Sequence, residues 1–240
     1  MRKYLFSFTF TIVLFVLFSL YLYGRRGFYD LYIINKVFAA LATTELGIAL
    51  LLGPLSRIFD IFDRYLQYRK HFGIAAFIFA FFHTASSLFF LPNRFPFNKY
   101  FTTGLWPFVF GLLSFLVLLV LFSISNKWSR DKLNFSRWWF IQNWGVRLAF
   151  VALTLHVGIM KIPGWVEWYQ KGSGNNLAHP EWPGLGILVG WFMIMVITVR
   201  LAEVVNKNLG QYVAVIGSSL LPIIYLLTFF WGWVAFGNRV

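Results

Sequence analysis

The stretch His71-Phe72-Gly73-Ile74-Ala75-Ala76-Phe77-Ile78-Phe79-Ala80-Phe81-Phe82-His83-Thr84-Ala85-Ser86-Ser87 decides how this chain is read. Apart from its first residue it is an apolar run, and it carries one imidazole, His83, deep inside. A helix that crosses ~30 Å of hydrocarbon needs about twenty such residues. An ionisable side chain at that depth is costly, so it generally faces the interior of a bundle and marks a pathway or a ligand site. A second stretch, Asn143-Trp144-Gly145-Val146-Arg147-Leu148-Ala149-Phe150-Val151-Ala152-Leu153-Thr154-Leu155-His156, repeats the arrangement.

Outward from these two, further apolar runs fall at 4–23, 34–55, 104–124, 184–204 and 211–236, and the two histidine spans extend over 71–91 and 139–162. Seven spans predict an all-α, polytopic transmembrane helix bundle. Turn-forming breaks at Gly53-Pro54, Pro92-Asn93, Pro163-Gly164 and Asn206 to Gly210 are expected to separate them. The start, Met1-Arg2-Lys3 and an apolar run to Tyr23, imitates a signal peptide. Its length, its bulky Tyr21-Leu22-Tyr23 end and the spans that follow read instead as a first transmembrane helix.

Composition narrows the chemistry. With 59% hydrophobic and only 12% charged residues, the chain is far more apolar than a soluble domain. The absence of cysteine excludes disulfides, thiolate-ligated iron–sulfur clusters and cysteine nucleophiles, so any metal is held by nitrogen or oxygen. A net charge of +13 suggests nucleic acid in a soluble protein, but here the basic residues collect in short loops, where they set topology. No nucleic-acid partner is expected.

Arg2, Lys3, Arg57, Arg64, Arg69, Lys70, Lys127, Arg130, Lys132, Arg137, Arg200 and Lys207 fall on one side. Only Arg25, Arg26, Lys36, Arg94, Lys99, Lys161, Lys171 and Arg239 fall on the other. The bias predicts a cytoplasmic N-terminus and an outer C-terminus. Trp138, Trp139, Trp165, Trp168, Trp231 and Trp233 near span ends suit interfacial belts. No Gly-rich dinucleotide fingerprint occurs, so any electrons must come from a partner or a membrane quinol.

At helical spacing the face of His83 carries Ala76, Phe79, Ala80, Ser86 and Ser87, and that of His156 carries Gly145, Ala149 and Ala152. Small residues beside a histidine on two parallel helices leave a slot suited to a flat macrocycle with two axial imidazoles. Ordinary helix packing, with each histidine hydrogen-bonded across helices, produces the same pattern. Arg147 inside the fifth span needs a partner, and Glu45 in the second is nearest in depth. A structural ion pair, a propionate contact and a quinone pocket with Gln142 and Asn143 are the roles open to Arg147. His179 reads as a loop histidine, and Asp60 and Asp63 as a solvated face among Arg57 and Arg64.

Arg69-Lys70-His71-Phe72-Gly73-Ile74-Ala75-Ala76, ending in Phe82-His83, resembles the basic-pair, Leu-Gly and histidine pattern of the ferric-reductase-like transmembrane domain family. Thr103-Gly104, Ser123-Ile124-Ser125, Trp139 seventeen residues before His156, Arg200 and the 73-residue spacing of the two histidines add to the resemblance, which covers about 34–204. It divides the chain into an N-terminal helix and loop (1–33), a ferric-reductase-like haem-binding transmembrane core (34–204) and an additional C-terminal helix (205–240) beyond the six of the family.

The resemblance implies a b-type haem ligated by His83 and His156, in a protein of the bacterial inner membrane that carries electrons to an outer acceptor. Its implied partners are membrane lipid, a periplasmic oxidoreductase as acceptor, and a quinol or a cytoplasmic flavin reductase as donor, with quinone or flavin as further cofactors. The family's further histidine falls on Asn143, a poor iron ligand, so one haem rather than two is expected. His71 is expected at the headgroup interface. The competing function is a secondary or proton-coupled transporter, with Glu45, Arg147 and the histidines forming a polar pathway.

Overall fold

The computed structural model describes residues 2–174 and 177–237, with side chains from residue 5 onward. Of the charges that predict topology, Arg239 and the side chains of Arg2 and Lys3 lie outside the described residues. Among those described, every regular element is a helix. The long ones are α1 (Arg2–Arg26), α2 (Leu31–Ile58), α3 (Arg69–Ala85), α5 (Leu105–Ser123), α7 (Phe135–Lys171), α8 (Leu185–Val205) and α9 (Lys207–Phe236). Six of these contain a segment long and apolar enough to cross a membrane, and for α3 that segment is the continuous helical run Asp60–Phe90 of which it is part. Two short helices, α4 (Phe97–Tyr100) and α6 (Lys127–Leu133), sit in loops. A 3-10 helix over Asp60–Tyr68, with no buried residue, leads into α3.

α2 is the central helix. In its most apolar window 78% of residues are buried, against 11% in α1 and in α9, because α1, α3 and α8 all pack against it. Inside lipid the gain from such packing is van der Waals contact rather than escape from water. α7 lies along α5, and α9 lies along α8 on the periphery. α3 and α7, the two histidine-bearing helices, each lean on another neighbour and scarcely touch each other.

Helix ends follow local chemistry. The Asp30 carboxylate accepts the Ile33 N–H at 2.8 Å and starts α2. Asn134, at φ +60°, accepts from Ser136 and Arg137 to start α7, and Asn206 does the same for α9.

Two of the expected breaks do not form. α2 runs through Gly53-Pro54 to Ile58, and α7 runs through Pro163-Gly164 to Lys171. A proline removes one backbone donor, but leaving the helix inside hydrocarbon would orphan many more, so the helix continues. At ~1.5 Å per residue the 37 residues of α7 exceed the bilayer, and its last turns project beyond it. There Trp168 packs edge-on to Phe236, and Trp231 donates to the Tyr169 carbonyl.

The loop after α7 folds back onto the end of α1. Arg25 is buried and donates to the Trp182 carbonyl and the Ser173 hydroxyl, while Tyr21 donates to the Pro183 carbonyl. Inner and outer below follow the orientation predicted from charge.

Candidate functional site

His83 stands two residues before the end of α3, where the backbone widens into a π-helical turn over Ser86–Phe90. Such turns recur at functional sites. Its Nδ1 lies 2.9 Å from Asn35 Oδ1 and 3.2 Å from the Asn35 carbonyl oxygen on α2. The Asn35 amide nitrogen donates to Ser87 Oγ at 3.0 Å, which fixes the amide with its oxygen toward the ring. A carbonyl oxygen can only accept, so Nδ1 carries the hydrogen and Nε2 keeps its lone pair.

His156 on α7 repeats this chemistry. Its Nδ1 donates to the Pro107 carbonyl of α5 at 2.7 Å, which again leaves Nε2 as the free base. Among the described residues no hydrogen bond engages either Nε2. Gly111 on α5 makes room for this ring, because a Cβ there would lie 2.7 Å from His156 Nδ1. Both rings are half-buried, and they lie within electrostatic range of each other and of Lys161. Two oriented imidazoles, with their helices held apart, are what axial ligation of a planar group requires.

Part of the expected small-residue face has a different use. A Cβ on Gly145 would strike Leu121 of α5, and the Ala149 carbonyl accepts Ser114 Oγ at 2.9 Å. Both therefore pack α7 onto α5 instead of lining the space between α7 and α3. Asn35, Pro107 and Gly111 fall outside the histidine faces that helical spacing defines. Only Asn35, a lone amide after Ile33-Ile34, carried a visible signal.

The expected pairing of Glu45 with Arg147 does not form. Glu45 is fully buried and accepts a hydrogen bond from Thr11 of α1 at 2.7 Å, and its second oxygen has no partner. The Arg147 guanidinium lies over the Trp144 ring at 4.8 Å, with a buried, unpartnered Nε. It belongs electrostatically with Arg69 and Arg200 in the inner half. Glu203 is the carboxylate there, bonding Arg57 at 2.7 Å and Arg200 at 2.8 Å.

Gln142 and Asn143 line an inner cavity of about 290 Å³ with Arg69, Lys70 and Trp139, and Arg147 is not part of its wall. Gln142 donates to the Leu121 carbonyl and to Ser125. His179 is held in the outer loop by stacking on Trp182 at 4.5 Å and by Glu181 at 2.9 Å, so its contacts are structural. In the outer loop before α5, Tyr100 donates to the Ser87 carbonyl, and burial pushes its phenol above the usual pKa.

Residues 38–153 match the family model described as ferric reductase like transmembrane component. The match begins in α2, includes His83, Asn143 and Arg147, and ends three residues before His156. Among curated proteins none matches the chain. Among the described residues no group of three or more His, Asp or Glu side chains is placed to hold a metal ion.

Proposed function

We propose that this chain is a haem b electron-transfer subunit that passes electrons across the membrane to an acceptor on the outer side. The observation that carries this reading is the matched state of His83 and His156. Each Nδ1 is tied to a carbonyl oxygen and each Nε2 is left as a free base, on two helices that do not close on one another. The match over 38–153 supports the same reading at the level of the domain.

Held by His83 and His156, haem b would supply one-electron redox chemistry, which suits electron transfer rather than oxygen binding. Asn35 and Pro107 fix ring orientation, and Gly111 admits the His156 ring. Within the family the resemblance is nearest MsrQ, the haem-bearing membrane subunit of the periplasmic methionine sulfoxide reductase system. That makes a periplasmic oxidoreductase the expected acceptor. The inner cavity beside Gln142 and Asn143 is the expected place for a quinol or a reduced flavin to deliver electrons. With Asn143 and no histidine in that wall, one haem per chain is the stoichiometry proposed.

The transporter reading needs Glu45, Arg147 and the histidines in one polar path. Glu45 instead pairs with α1, and Arg147 lies about 13.5 Å along α7 from His156, counted at ~1.5 Å per residue. The test is the haem content of protein purified from haem-replete cells. About one haem per chain is expected in the natural protein and almost none in the His83→Ala/His156→Ala double variant. A colourless natural protein, or full retention in the double variant, would refute the reading.

A further inference from the structure

Four cations gather at the outer end of the space between α3 and α7. Three of them surround one ring: Lys36 Nζ lies 4.1 Å, Arg94 5.1 Å and Arg26 5.7 Å from the centre of Tyr32. Lys161 of α7 is within electrostatic range of Lys36 and Arg26, and also of both histidines. Among the described residues none of the four takes part in an ion pair, and Arg26 Nε is buried with no hydrogen-bond partner. Among the described residues Asp30 is the carboxylate in range of Lys36, and one of its two oxygens already accepts the Ile33 N–H in capping α2.

Arg26 and Lys36 are half-buried, and like charges without ion-pair partners repel one another, so a group of this kind is completed by an anion. Its position says which one. Lys36 follows Asn35, the residue that orients His83, and Lys161 lies five residues, about 7.5 Å of rise, beyond His156. We propose that Lys36, Lys161 and Arg26 form a dicarboxylate site that takes the two propionates of the haem held by His83 and His156. This rests on the haem reading above. It also transfers the propionate role from Arg147, which lies nine residues to the inner side of His156 among other arginines.

A phospholipid phosphate would offer similar anionic chemistry to the same cations, and the test separates the two sources. Apoprotein in nanodiscs is titrated with haem and with haem dimethyl ester, which keeps the iron and macrocycle but has no carboxylates. The natural protein is expected to bind haem at least tenfold more tightly than the ester. In Lys36→Met/Lys161→Met, haem affinity is expected to fall to that of the ester, with ester affinity and the bis-imidazole spectrum unchanged. Unchanged ester binding also shows that the variant is folded, and Arg26→Gln should give a smaller loss in the same direction.

Equal binding of haem and ester by the natural protein, both with bis-imidazole spectra, overturns the propionate assignment and leaves the haem reading standing. Retained discrimination in the double lysine variant does the same. A natural protein that takes up neither porphyrin overturns both.

Discussion

Each histidine of the pair is aimed by a carbonyl oxygen on a different helix, and those acceptors decide which nitrogen is offered to a ligand. Asn35→Ala removes the shorter of the two bonds to His83 and releases Ser87, while the backbone carbonyl at 3.2 Å stays. Removing a partner of this kind typically costs about 10–100-fold in metal affinity. Haem titration of the Asn35→Ala apoprotein is expected to show a loss within that range, with the low-spin spectrum preserved at saturation. The histidines themselves were legible, because an imidazole in an apolar span stands out against its neighbours. Their partners were not, since the Pro107 carbonyl leaves no sequence signal and Gly111 looks like any glycine of a membrane helix. Glu45 and Arg147 show the same limit: depth along a helix can be counted from sequence, but the direction each side chain faces depends on which helices meet.

At the level of elements, the seven apolar runs were read close to their structural bounds, and the errors fell at prolines. Pro54 and Pro163 looked like punctuation, yet the cost of exposing backbone in hydrocarbon keeps both inside helices. Asparagine caps proved the better boundary signal. Asn206 accepts from the N–H groups of Asn208 and Leu209 where α8 gives way to α9. Loss of such a cap typically costs about 0.5–2 kcal/mol. Asn206→Ala is therefore expected to lower the thermal unfolding midpoint in detergent, while haem content per folded chain stays unchanged because the cap bonds neither histidine nor the groups that orient them.

At the scale of the molecule, charge separates into two groups. Arg57 and Arg200 share Glu203 at the inner end, with Arg69 and Arg147 in electrostatic range, and Arg26, Lys36, Arg94 and Lys161 lie at the outer end without ion pairs among the described residues. The proposed orientation follows from loop charge and is testable because the chain has no cysteine. A single cysteine at exposed Lys99 is expected to react with a membrane-impermeant maleimide in intact cells, and one at exposed Lys127 only after permeabilisation. The reverse pattern would invert the topology.

The central claim, that His83 and His156 hold one iron between them, is tested most directly by electron paramagnetic resonance of the ferric protein and its single variants. A low-spin signal of two neutral imidazoles is predicted for the natural protein, giving way to high-spin or absent haem in both His83→Ala and His156→Ala. Persistence of the low-spin signal in either variant would contradict it.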